Sequence, residues 1–162
     1  MHVINIDSTQ GKPAAYAALA RELAALIEGE RDWIANLANA SSLLFHGLPE
    51  LNWAGFYLLK EGQLVVGPFQ GRPACVRIPV GKGVCGTAAA RRETVIVPNV
   101  NEFPGHIACD SASNAEIVVP MIRGEELIGV LDIDSPQLSR FDAQDAAGLE
   151  EFVRVLIAKS AP

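Results

Sequence analysis

The chain has 162 residues, about half of them apolar, and a formal net charge of −6. That length suits one domain with an ample core, so a single domain over 1–162 is expected, and the negative field argues against nucleic acid or an anionic membrane surface as partner. No apolar run approaches the roughly 20 residues of a membrane span, and the opening MHVINIDSTQGKP lacks a basic stretch followed by an apolar one, so the expected location is the cytoplasm.

Leu19, Leu23, Leu26 and Ile27 recur at helical spacing and predict a helix from Ala14 to Glu28; a second amphipathic run predicts another from Trp33 to Phe45. Gly47, Pro49 and Asn52 end that pattern. WAGFYLL and QLVVGPF, separated by the turn residues Glu61 and Gly62, predict an antiparallel hairpin, and CVRIPV predicts a third strand. The glycine-rich GKGVCG then leads into a short alanine-rich helix from about Val84 to Arg92, followed by the β-branched strand TVIV, which stops at Pro98.

Residues Asn99 to Asn114 form a long connection that carries Pro104, Gly105, His106 and Cys109, and a connection of that length in a compact domain is more often functional than idle. AEIVVPMIRGEELIGVLDIDS then predicts two strands around a turn at Arg123 to Glu125. A last amphipathic helix, with Asp142 as its N-cap and Phe152, Val153 and Leu156 inward, completes the chain. The order predicts an α+β protein with an antiparallel sheet of about six strands and helices packed on one side of it.

The stretches GKGVCGTAAARRETVIVPNV and EIVVPMIRGEELIGVLDIDS, and a helix opening with FDAQD, resemble a GAF domain over most of residues 30 to 160. Within that family, NWAGFYLL, ACVRIPVGKGVC, HIACDSASNAEIVVP and LDIDSP together are similar to the free methionine-(R)-sulfoxide reductases. The three cysteines, Cys75, Cys85 and Cys109, stand ten and then twenty-four positions apart, a placement not expected of a GAF domain that only senses a ligand. The odd number excludes a fully paired secretory framework.

Sulfoxide reduction needs a thiol that attacks sulfur, a proton source for the departing oxygen and a second thiol that resolves the sulfenic acid. Read from the residues alone, Cys85 is the nucleophile, because it sits in the first turn of a helix where amide N–H groups favour a thiolate. The resemblance implies otherwise: Cys109 attacks, Cys75 resolves, and Cys85 is an accessory or alternative partner. Asp110 beside Cys109 is expected to raise its thiol pKa. Asp132 and Asp134 alternate across Ile133 and so share one strand face, as do Trp53 and Tyr57 on theirs.

The resemblance implies that Glu116, Asp132 and Asp134 join Trp53 and Tyr57 in the substrate pocket. The turn from Gly81 to Gly86, at a helix N-terminus, is a further place to hold a substrate carboxylate. No C-x2-C pair exists, so neither His106 with Cys109 nor the cysteines with a histidine predicts a zinc site, and no metal or organic cofactor is implied. Expected partners are free methionine (R)-sulfoxide, a thioredoxin-type dithiol and a second copy of the chain, with Trp33, Leu37 and Leu44 as the apolar seam of a homodimer. Two rival readings are a ligand-binding or redox-sensing GAF module without turnover and a structural zinc protein.

Overall fold

A computed structural model describes residues 3–161. Helix α1 (Lys12–Leu26) starts on Pro13, and α2 (Trp33–Gly47) is capped by Asp32, whose side chain accepts from the Ala35 N–H at 2.8 Å. Strands β1 (Trp53–Lys60) and β2 (Gln63–Gly71) follow as the predicted hairpin. Its turn residues Glu61 and Gly62 both take positive φ, which matches a two-residue turn to the twist of the strands. Next come β3 (Arg77–Pro79), α3 (Gly83–Arg91) and β4 (Val95–Val97), then the antiparallel pair β5 (Ala115–Arg123) and β6 (Glu126–Ser135). Helix α4 (Ala143–Lys159) opens with a capping box between Asp142 and Asp145.

The six strands lie in the order β3-β2-β1-β6-β5-β4, every neighbouring pair antiparallel. Side chains alternate across this sheet and build two apolar layers. Phe56 and Leu58 of β1, Ile117 and Val119 of β5, and Leu131 and Ile133 of β6 meet α1, α2 and α4 in the larger one. Trp53, Tyr57, Val118 and Val130 face the other way, where Val84, Cys85, Ala88 and Ala89 of α3 cover them.

Among the described residues, three of the four α-helices therefore share one face, and α3 with the connection after β4 closes the opposite one. This corrects the expectation of helices on one side only. The short alanine-rich helix carries small buried residues because it lies directly on the sheet. Leu37 and Leu44 of α2 are fully buried against the sheet within one chain, so they cannot form the dimer seam expected of them.

Helices α1 and α4 cross at close quarters: a Cβ on Gly148 would lie 2.1 Å from the Tyr16 ring. The crossing is pinned by Asp145, a buried carboxylate that accepts from Tyr16 Oη at 2.7 Å, Lys12 Nζ at 2.6 Å and the Asp142 N–H at 2.8 Å. All of this lies on the side of the sheet away from the cysteines.

Candidate active site

The strand register assembles the site. Glu116 of β5 pairs with Asp134 of β6, which pairs in turn with Trp53 of β1, and Asp132 lies two residues along β6 on the same face. Three carboxyl groups thus converge beneath α3, Glu116 and Asp132 buried and Asp134 half-buried, with no lysine or arginine ion-paired to them among the described residues. Glu116 Oε2 and Asp132 Oδ1 have no hydrogen-bond partner. Burial pushes Glu116 and Asp134 well above the carboxylate range, with the charge of Asp132 adding to both. Burial lifts Asp132 to about 7, while contacts with Cys85 and Glu116 pull it back down.

Trp53 and Tyr57 form the wall beside these acids. Their rings stack at 5.9 Å between centroids, and Phe69 also stacks with Trp53, at 5.1 Å. Each ring also holds backbone: Trp53 Nε1 donates to the Arg72 carbonyl at 3.1 Å and Tyr57 Oη donates to the Cys75 carbonyl at 3.0 Å. The aromatic pair thereby fixes the segment that carries Cys75.

Cys75 and Cys109 are joined in a disulfide that spans 34 positions, their Cα atoms 5.5 Å apart. Cys85 is the free thiol, 4% exposed in the first turn of α3. Burial drives that thiol well up, and Asp132, Glu116 and Asp134 drive it further. Desolvation and three acidic neighbours thus oppose the thiolate that the helix N-terminus favours at Cys85.

Asp110 is itself tied to its neighbours. Its carboxylate accepts from the Ala112 N–H at 2.9 Å and from Asn52 Nδ2 at 3.1 Å, and these contacts, the Ala112 N–H foremost, hold it below the usual carboxylate range. Asn52 Nδ2 also donates to Ser113 Oγ at 2.9 Å. Asn52, which the sequence shows as an end to the second helical pattern and as the first residue of NWAGFYLL, thereby clamps both residues to the start of β1.

One cavity brings together Trp53, Tyr57, Cys85, Cys109, Glu116, Asp132 and Asp134. Cys75 stands outside its lining and enters through the bond to Cys109. With that bond closed the space is about 40 Å³, room for a few waters. Gly83 and Val84 also line it, and Lys82 gives α3 no side-chain cap, so no side chain there takes up the first-turn amides of that helix. His106 is at the rim, its imidazole held toward the neutral form by partial burial. The His106 and Cys109 combination does not gather as a metal-ligand group; among the described residues the group of potential ligands is Cys85, Glu116 and Asp132.

A six-stranded antiparallel sheet with three helices behind it and a small polar cavity in front, closed by α3 and a long loop, is the architecture of a GAF domain, and the sequence model of that domain matches residues 34–156. Protein YtsP of Bacillus subtilis (strain 168) is 57% identical over 157 residues, 95% of this chain and 96% of that protein. Free methionine-R-sulfoxide reductase of Escherichia coli (strain K12) is 55% identical over 141 residues, 87% of this chain and 86% of that one. Among solved structures, free methionine-R-sulfoxide reductase from Neisseria meningitidis in complex with its substrate superposes with a TM-score of 0.93 at 42% identity, covering 98% of this chain and 95% of that one. The chain belongs to the free methionine-(R)-sulfoxide reductase family of GAF-domain proteins.

Proposed function

We propose that the chain reduces free L-methionine (R)-sulfoxide to methionine, with Cys109 as nucleophile and Cys75 as resolving thiol. The observation that carries this reading is the Cys75–Cys109 disulfide beside a cavity lined by the carboxyl groups of Glu116, Asp132 and Asp134. In the reduced protein, substrate lies against Trp53 and Tyr57. Its ammonium group meets the carboxyl cluster, where Glu116 Oε2 and Asp132 Oδ1 await a donor, and its carboxylate meets the first-turn amides of α3.

Cys109 sulfur attacks the sulfoxide sulfur, a carboxyl group whose proton is retained by burial protonates the departing oxygen, and methionine leaves. The oxygen stays on Cys109 as a sulfenic acid. The Cys75 thiol condenses with it, releasing water and closing the disulfide; an external dithiol of the thioredoxin type returns both thiols. This cycle belongs in the reducing cytoplasm. We further propose a homodimer, whose contact surface excludes Leu37 and Leu44.

The test is to incubate reduced protein with separate R and S diastereomers of free methionine sulfoxide and with an N-acetylated, C-amidated R form, and to count methionine or its derivative formed. Turnover of the free R form alone is expected. Binding without any consumption of thiols would instead define a sensing module.

A further inference from the structure

We propose that Cys85, Glu116 and Asp132 form a binding site for a divalent cation that accepts mixed sulfur and oxygen ligands, zinc foremost, and that the cation excludes the amino-acid substrate when it is bound. One ligand atom from each of the three lies within 4.8 Å of the others. A zinc ion bonded at tetrahedral angles to a thiolate at about 2.3 Å and a carboxylate at about 2.1 Å holds those atoms about 3.6 Å apart, so side-chain rotations that move the ligand atoms by up to about an ångström close the site.

The three side chains are 4%, 7% and 6% exposed, and two of their oxygens, Glu116 Oε2 and Asp132 Oδ1, are buried without a partner. No lysine or arginine among the described residues pairs with them. Buried acceptors that lack a donor and a buried thiol directed at the same point are the surroundings a cation relieves. The adjoining cavity, about 40 Å³ with the disulfide closed, leaves room for water in the remaining coordination positions. As the cation enters, the Cys85 thiol and the carboxyl groups release their protons to solvent, and the sulfur is held as a metal thiolate without any change of oxidation state.

The metal site stands on these contacts alone. Exclusion of substrate rests on the reading above, in which Glu116 and Asp132 receive the substrate's ammonium group, and it makes zinc a competitive inhibitor of the reduced enzyme.

The oxidised protein isolates the site, because Cys75 and Cys109 are then bonded to each other and Cys85 is the free thiol. Titrating that form with Co2+ in chelator-free buffer is expected to raise a thiolate-to-cobalt charge-transfer band saturating at one equivalent, bleached by one equivalent of Zn2+ and unaffected by Mg2+. Cys85→Ser and Cys85→Ala should lack the band. Asp132→Asn and Glu116→Gln should each weaken Co2+ binding by about tenfold or more.

Absence of the band in the wild type overturns the site, as does a band that persists without Cys85. Unchanged affinity in both carboxyl variants does the same should the cysteine variants fail to fold by circular dichroism. For exclusion, Zn2+ should inhibit the reduced enzyme competitively, and Cys85→Ser should weaken that inhibition about tenfold relative to its own uninhibited rate; equal inhibition would place the zinc on Cys75 and Cys109. Turnover in chelator-treated buffer reports the substrate reading separately: a protein with the band and no turnover keeps the site and loses the function, and turnover without the band does the reverse.

Discussion

Each cysteine occupies a different environment, and the proposed cycle makes a different demand on each. Without added reductant the wild type should form about one methionine per chain and stop at the disulfide. Cys109→Ser should form none, while Cys75→Ser should still form about one equivalent and then stall with thioredoxin as sole reductant. Product counted by amino-acid analysis decides this; one equivalent from Cys109→Ser with none from Cys85→Ser would make Cys85 the nucleophile. The carboxyl cluster gives a second prediction, about pH. Asp132 ionises near 7 in the folded protein, against an ordinary value of 3.8, so between those values the folded state holds a proton that the unfolded chain has released. Stability therefore falls as pH rises through that window and none of it is lost below about 4. Glu116 and Asp134, also raised, act in the same direction. In chelator-containing buffer Asp132→Asn should raise Tm at pH 8 by about 2–4 °C for each kcal/mol recovered and leave Tm at pH 4 nearly unchanged, while kcat/KM falls by about tenfold or more. A lower Tm at pH 8 would make Asp132 a structural acceptor.

The α1 and α4 crossing carries the prediction that belongs to whole elements. Alanine is the better helix former by about 1 kcal/mol, yet a Cβ at position 148 would enter a ring that is itself buried and tied to Asp145. Gly148→Ala should therefore lower the urea midpoint by the equivalent of about 1–3 kcal/mol, with activity per folded molecule unchanged. A midpoint at or above that of the wild type would mean that the two helices part freely. The elements themselves were legible because each carries its own local signal: helical spacing of Leu19, Leu23, Leu26 and Ile27 marks the first helix, the cap Asp142 starts the last, and Glu61-Gly62 turns the hairpin. CVRIPV shrinks to three paired residues because the Cys75 end is drawn off to the disulfide. What periodicity does not carry is which face of a sheet a helix covers. The apolar residues of α3 fit either face, so its place opposite the other three was not legible, and Leu37 and Leu44 read as a seam although they fill the core. The residues named through the family's motifs line one cavity, apart from Cys75, which reaches it through its bond to Cys109. The role of Asn52 was not legible, because it is a contact across 58 positions with Asp110 that no spacing encodes.

At the scale of the molecule, the disulfide ties the connection after β4 to the segment between β2 and β3, closing a loop of 34 positions. Chain-entropy reasoning gives such a closure about 4 kcal/mol, so complete reduction should lower Tm on the order of 10 °C, measurable by calorimetry with and without dithiothreitol. Equal Tm values would mean that the fold holds both segments equally well without the bond. The proposed cycle requires that reduction free the cover of the cavity, which holds a few waters while the disulfide is closed. The sheet that separates helices α1, α2 and α4 from the cavity also separates two kinds of inheritance. Substitutions in the helical layer are judged by folding and those on the cavity face by chemistry, and energetic effects at sites that share no contacts add nearly independently. A lineage can therefore lose its cysteines, recolour the acidic floor for another ligand and pass from catalyst to receptor while descent conserves the same scaffold beneath.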